Sequence, residues 1–149
     1  MSAQELTSAY MVSALQATQH AGSKIEFFNA LKTALRKRLD LADAALTTSV
    51  AKTAATDDNS NVREAAQQTL GVIVEKRPDL ADAALSVAKT AATDGDSVVR
   101  EAALRTLGMI VEKRPELADA ALSVAKTAAP KLGRPALNNS TRALLDLVS

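Results

Sequence analysis

Side chains that could perform catalysis or hold a metal ion are few in this 149-residue chain. Cysteine is absent, which excludes a thiolate nucleophile, a disulfide framework and a cysteine-based metal site. His20 is the single histidine. Because no second histidine or cysteine exists to share a metal, we expect it to be a surface residue near a helix C-terminus. Asp94-Gly95-Asp96 resembles the start of a calcium-binding loop, but Arg105 stands where that loop requires a bidentate acid.

Sequence motifs for phosphate, dinucleotide or acyl-transfer chemistry are also absent from the chain. The acidic and basic residues alternate as the charges of a solvated helix face do, so no carboxylate pair can be singled out for acid–base work. We therefore predict no catalytic residue, no cofactor and no metal, and we expect that the protein is not an enzyme.

Composition and charge also argue against several classes of protein. The formal net charge is +1, from 18 basic and 17 acidic residues, which argues against a nucleic-acid binder held by a basic face. No apolar run approaches the roughly 18 residues that a membrane span needs. The N-terminus lacks a basic segment followed by an apolar run. These features predict a soluble, cytoplasmic protein without membrane association, and they leave export by a signal-independent route open.

An internal repeat of 37 residues organises the chain and must position any functional side chain. Residues 49–85 and 86–122 differ at only seven positions. Fragments of the same repeat recur at Asp40–Leu46 and Ser123–Ala129. A tandem period of this length is typical of stacked structural units, each of which contacts mainly its neighbours.

Each full repeat has the apolar spacing of two helices. In the second copy these are predicted at Pro78–Ala92 and Ser97–Lys113, and no alternating β-branched run indicates a strand. The inward stripe of the second helix is Val99, Ala102, Ala103, Thr106, Leu107 and Ile110. Gly71 and Gly108 fall inside helices, where close helix packing is the expected reason for a glycine. The predicted fold class is therefore all-α, an α-solenoid of about four antiparallel helical hairpins in a single domain.

The ends of the array diverge from the central repeats. A first helix is expected over Ser2–Ala21, ended by Gly22, and a second helix is expected to begin at Ser23 with a capping box. A third should start near Asp40, although the sequence leaves open whether it continues from the second. The domain is divided into a divergent N-terminal hairpin (1–39), a first repeat (40–77), a second repeat (78–114) and a degenerate C-terminal repeat or cap (115–149).

The segment Asp96–Gly108 resembles the signature of HEAT repeats: an acidic turn, then Val-Arg, paired alanines and Leu-Gly. The first copy has the corresponding residues at Asn59, Val62-Arg63, Ala65-Ala66 and Leu70-Gly71. The resemblance is clear over residues 40–129 and weak at both ends. It implies a right-handed α-solenoid whose second helices line a concave face where partners bind.

The same resemblance implies a ladder of ion pairs between neighbouring repeats. In HEAT repeats a turn aspartate precedes a helix arginine by six positions, as Asp57 precedes Arg63 and Asp94 precedes Arg100 in this chain. The third copy departs from the pattern because Lys131 stands where the aspartate would be. We expect Asp57 or Asp94 to pair with an arginine of the adjacent repeat, and the ladder to stop after the second copy.

Positions that differ between the two copies indicate a candidate contact surface. Three of the four differences in the second helix lie at offsets that place them within about 40° on one helix side. Drift of exposed positions after duplication is the alternative explanation. With the neighbouring glutamates, the predicted partner-binding residues are Asn61, Glu64, Gln68, Val72, Val98, Glu101, Arg105 and Met109.

These observations favour a non-catalytic protein–protein interaction module that binds a helix or peptide of unknown identity on this surface. One alternative is a HEAT-like enzyme or nucleic-acid-directed protein, which the charge balance disfavours. Another is structural self-association into a homo-oligomer through apolar ends of the array. The near-identity of the copies fits recent duplication and equally fits a designed repeat scaffold.

Overall fold

The structure, a computed structural model, describes residues 7–38 and 41–128. Within these residues it contains no strand, which confirms the predicted all-α class. The α-helices of the described ranges are α1 (Ser8–Ala17), α2 (Ala21–Lys37), α3 (Ala44–Thr56), α4 (Ser60–Lys76), α5 (Ala81–Ala91), α6 (Ser97–Lys113) and α7 (Ala118–Ala128). Single 3₁₀ turns at Pro78–Leu80 and Pro115–Leu117 lead into α5 and α7.

The helices fall into two series that alternate along the chain. The long helices α2, α4 and α6 have 17 residues each, and each packs against the next. The short helices α1, α3, α5 and α7 likewise contact one another in chain order. Contacts such as α3 with α4 and α5 with α6 join the two series. The α2 helix therefore belongs with α4 and α6, although its sequence has little likeness to theirs.

The core lies between the two series of helices. All six residues of the predicted inward stripe of α6 are buried, which confirms the helical periodicity read from the sequence. The short helices contribute mainly small side chains, among them Ala81, Ala84 and Ala88 of α5, which let neighbouring helices approach closely. The larger buried side chains come mostly from the long helices, as Phe28, Leu70 and Leu107 illustrate.

The N-terminal hairpin differs from the sequence prediction. Within the described residues, α1 begins after Thr7, whose hydroxyl caps the helix by accepting from the Tyr10 N–H at 3.1 Å, and α1 ends at Ala17 instead of Ala21. The next helix begins at Ala21, so the predicted capping box at Ser23 is wrong and Gly22 lies inside α2. His20 is exposed, as expected, and lies three residues after the end of α1 at the N-cap of α2. The capping box predicted at Ser2 lies outside the described residues.

The short helices begin later than predicted. Asp43 caps α3 by accepting a hydrogen bond from the Leu46 N–H at 2.9 Å, three residues after the predicted start. Since α2 ends at Lys37, the second and third helices are separate. In the next copy the α-helix starts at Ala81 because Leu80, with ψ 9°, is outside the α-helical range. The divergent C-terminal turn and the last helix predicted from the sequence lie beyond residue 128.

Candidate functional site

The predicted contact residues are carried by α4 and α6 at matching positions of the two helices. Asn61 is exposed, whereas most of the others are half-buried. Val72 is an exception to the expected exposure, since only 6% of its surface is accessible. We call this side of the long helices the long-helix face, defined by Asn61, Glu64, Gln68, Val72, Val98, Glu101, Arg105 and Met109.

A groove of about 230 Å³ runs between α4 and α6 on the long-helix face. Gln68 and Val72 line it from α4, and Arg105 and Met109 line it from α6. Four of the eight predicted contact residues thus border one depression. Asn61, Glu64, Val98 and Glu101 are not among its lining residues. These four residues occupy two repeat positions, at both of which the copies differ, so that the two walls are chemically unlike there.

The groove also contains residues that the sequence comparison missed. Glu75 and Glu112 line its end one helical turn beyond Val72 and Met109, and the glycines Gly71 and Gly108 lie beside them. These residues are identical in the two copies, and for that reason a comparison of differences could not find them. The signal that could have done so is helical spacing, because Glu75 and Glu112 continue the stripe at i+3.

Gly71 is not required by helix packing, contrary to the sequence-based expectation. A Cβ atom built at this position would meet only the Thr106 Oγ1 atom, at 3.5 Å, which is an ordinary van der Waals contact. Its backbone has no positive φ. Glycine inside a helix costs about 0.5–1 kcal/mol relative to alanine. At Gly71 that cost has no compensating packing advantage, and its structural consequence is open space at the groove.

Charges of both signs alternate across the long-helix face. Glu101 and Arg105 form an ion pair within α6. The Lys32 Nζ atom of α2 donates to the Gln68 Oε1 atom at 2.7 Å. Burial lowers the pKa of Lys32, and the charge of Arg36 lowers it further while Glu64 opposes the shift. The face is therefore a mixed-charge surface and not a continuous basic one.

Glu64 sits at the centre of this charge pattern. Burial raises the pKa of its carboxyl above the ordinary value, and the charges of Glu101 and Asp96 add to the rise. The charges of Arg105 and Lys32 lower the pKa without cancelling the effect of burial. The ionised form of Glu64 is thus less favoured in the folded protein than in water.

Two of the predicted ladder residues bond directly between the copies. Arg63 in α4 donates through Nε to Asp94 Oδ2 at 2.8 Å and through Nη2 to Asp94 Oδ1 at 3.0 Å. Its Nη1 atom also donates to the Asp57 carbonyl at 2.9 Å, and Arg100 donates to the Asp94 carbonyl at 2.6 Å. Burial acts to raise the pKa of Asp94, but hydrogen bonds from Arg63 and the Asp96 backbone, with the arginine charges, bring it below its ordinary value. The Lys131 position lies outside the described residues.

The sequence did not predict a further ion pair of the ladder, which involves Lys24. Lys24 Nζ donates to Asp57 Oδ2 at 2.6 Å, so Asp57 is paired with the preceding hairpin as Asp94 is paired with α4. Lys24, Arg63 and Arg100 are each the fourth residue of a 17-residue helix. A search for any cation at that helix position would have found Lys24, whereas the Val-Arg motif did not.

A second series of arginine contacts lies at the opposite ends of the long helices. Arg77 follows α4 and donates through Nη1 to the Ala42 carbonyl at 2.7 Å. Arg114 follows α6 and donates through Nη1 to the Pro78 carbonyl at 2.9 Å. Each acceptor lies near the start of the same repeat, just before α3 or α5. The end of each long helix is therefore tied to the start of the short helix that precedes it.

The interface between α4 and α6 also contains a buried polar contact. The Gln67 side-chain amide donates to the Thr106 hydroxyl at 2.8 Å, and both residues are buried. Gln67 Oε1 is buried and has no hydrogen-bond partner among the described residues. In the second copy Leu104 occupies the equivalent position and is fully buried. Thr106 also lines the groove, whereas Gln67 is not among its lining residues.

The described residues 7–38 and 41–128 contain no group of three or more His, Asp or Glu side chains placed to hold a metal ion. Over the same ranges, no helix combines the length and apolarity that crossing a bilayer requires. No protein-family model, curated protein or solved structure matches the chain. The fold and the site thus define an all-helical protein with a mixed-charge groove between two long helices.

Proposed function

We propose that this protein is a HEAT-like α-solenoid that acts as a non-catalytic protein–protein interaction module. The proposed binding surface is the long-helix face, and the proposed ligand is a helix or peptide segment of a protein partner. The observation that carries the proposal is the groove between α4 and α6, which is lined by Gln68, Val72, Arg105 and Met109. Four residues chosen from sequence differences alone thus line one concave feature.

The packing of the helices supports the solenoid part of the proposal. Each long helix contacts the next, each short helix contacts the next, and the two series alternate along the chain. The Lys24–Asp57 and Arg63–Asp94 pairs repeat the same bond between successive units. Units that bond mainly to their neighbours produce extended surfaces of the kind that bind segments of other proteins.

The charge pattern favours a protein ligand over a nucleic acid. A phosphate backbone is bound by clustered cations, and its affinity rises with their number. On and beside the long-helix face, Lys32 and Arg105 instead alternate with Glu64 and Glu101. Mixed charges with an apolar centre are typical of protein interfaces, in which complementary charges supply specificity.

The experiment that tests the proposal compares a single charge reversal with a swap of the internal ion pair. Glu101→Arg breaks the pair with Arg105, whereas the double variant Glu101→Arg/Arg105→Glu keeps an ion pair at the same helical spacing. Helical content by circular dichroism serves as the folding control. A partner that contacts this face should bind the swapped variant more weakly although its fold is retained. Unchanged binding to the swapped variant by every identified partner would exclude this face.

A further inference from the structure

The end of the groove combines apolar and acidic residues, and this combination indicates the chemistry of the partner. Val72 and Met109 form its apolar part, while Glu75 and Glu112 border the end one turn away. Accessible fractions of the two glutamate side chains are 38% and 66%. Both carboxylates are therefore exposed enough to contact a bound molecule while they stay partly hydrated.

The two glutamates are only weakly neutralised within the described structure. The ion pair of Glu75 is with the adjacent Lys76 at 3.7 Å, and that of Glu112 is with the adjacent Lys113 at 4.0 Å. Both distances lie well beyond the roughly 2.7–2.9 Å of a charge-assisted hydrogen bond. A cation from a partner could bond to either carboxylate at a shorter distance than these neighbours do.

Glycine residues leave open space in the groove beside its apolar part. Gly71 and Gly108 are each the twelfth residue of their helix, and the twelfth residue of α2 is Lys32. Since a methyl group at Gly71 would meet only the Thr106 hydroxyl at 3.5 Å, the folded chain itself has room for alanine there. The space beside Val72 and Met109 is thus available to an incoming side chain.

We propose that the groove binds an amphipathic helix of a protein partner that inserts one apolar side chain between Val72 and Met109 and directs a lysine or arginine toward Glu75 and Glu112. Successive residues of a helix rise by about 1.5 Å, so a cation three or four positions from the apolar anchor matches the one-turn separation within the groove. The proposal rests on the proposed function and specifies the partner's chemistry.

A peptide selection tests the proposal without knowledge of the natural partner. A phage-displayed library of random peptides of about 16 residues, long enough for roughly four helical turns, is selected on the full chain. Affinities of the selected peptides are then measured by fluorescence polarisation. We expect enrichment of a large apolar residue with Lys or Arg three or four positions away.

Variants of the chain locate the bound peptide. The double variant Glu75→Gln/Glu112→Gln should weaken binding about three- to tenfold and reduce its dependence on salt. The matched control Asp82→Asn/Asp119→Asn removes two exposed charges from the short helices and should change affinity less than about twofold. Gly71→Ala should weaken binding while its thermal midpoint stays equal or rises, which separates a filled groove from a damaged fold.

The outcomes distinguish this inference from the proposed function. Peptides that bind the long-helix face but lack a basic residue, or that are unaffected by Glu75→Gln/Glu112→Gln, overturn the inference and leave the interaction module standing. Failure of the library to yield any peptide sensitive to the Glu101 and Arg105 swap contradicts both.

Discussion

The ion pair between Arg63 and Asp94 should make a measurable contribution to stability because it joins the two copies and is largely shielded from water. The side chains are only 18% and 13% accessible, and two hydrogen bonds of 2.8 and 3.0 Å connect them. Exposed ion pairs contribute about 0–1 kcal/mol, and hydrogen bonds to charged groups contribute about 1.5–3 kcal/mol. With screening at the accessible edge, we expect a coupling energy of about 1–2 kcal/mol.

A double-mutant cycle measures this coupling. Arg63→Met keeps the methylene packing, Asp94→Asn keeps the shape of the acid, and the third variant combines them. Because Arg63 also donates to the Asp57 carbonyl, Arg63→Met should cost more than the coupling alone, about 2 kcal/mol. In a chain of this length that loss corresponds to a thermal midpoint lower by about 4–8 °C. Free energies of unfolding are obtained from urea titrations followed by circular dichroism.

The pH dependence of the cycle gives an independent check. The pKa of Asp94 in the folded protein lies below its ordinary value of 3.8. The stabilisation is therefore complete above pH 3.8 and is lost as the pH falls through the lower, folded-state pKa. The coupling energy should accordingly vanish on acidification, while the part of the Arg63→Met loss that comes from the bond to the Asp57 carbonyl should remain. A coupling energy below about 0.3 kcal/mol at neutral pH, or a coupling energy that persists at low pH, would refute the reasoning.

Further predictions concern the centre of the face, the helix interface and the second arginine series. Burial raises the pKa of Glu64 in the folded protein above its ordinary value of 4.5, so ionisation of Glu64 destabilises the protein at pH values above 4.5. Glu64→Gln should therefore stabilise the protein at neutral pH and should make no difference below pH 4.5 in urea titrations. Gln67→Leu removes a buried oxygen that has no partner among the described residues and should stabilise by about 1 kcal/mol despite the lost bond to Thr106, measured by the same titration. Arg77→Met leaves the Ala42 carbonyl without its donor and should increase hydrogen exchange at the start of α3.

The sequence predicted the helical class of the described residues, and it predicted the long helix of the second copy accurately. The bounds of α6 and its buried stripe agree with the predicted periodicity because a 17-residue amphipathic helix contains several turns of consistent spacing. Helix starts were less predictable. Ser23 has the composition of a helix cap, yet the chain is already helical at Ala21, because tertiary packing of α2 outweighs a local capping preference.

The lining of the groove was found only in part from the sequence. Differences between copies identified Gln68, Arg105, Val72 and Met109, but they could not reveal Glu75 or Glu112, which are identical in the copies. Long-range bonds from Lys24 and Arg77 were missed because each depends on which carbonyl or carboxylate a distant part of the chain presents. Such acceptors are defined by the packing of the helices and not by any local sequence pattern.

Because the long helices are equivalent, the residues that differ between the copies and the open space border the same groove. When two similar helices pack side by side, the same helix positions border the groove from both sides. Substitutions that distinguish the copies, such as Gln68 against Arg105, therefore alter the two walls independently. Between α2 and α4 the corresponding position holds Lys32, whose ammonium group bonds to Gln68, whereas between α4 and α6 it holds Gly71 and Gly108. A partner that inserts a side chain between long helices should consequently bind in the α4–α6 groove. Gly71→Lys, which copies the α2 residue into α4, should abolish this binding. The control Gly22→Lys changes an exposed position of α2 with no neighbouring atom within 4 Å and should leave binding intact.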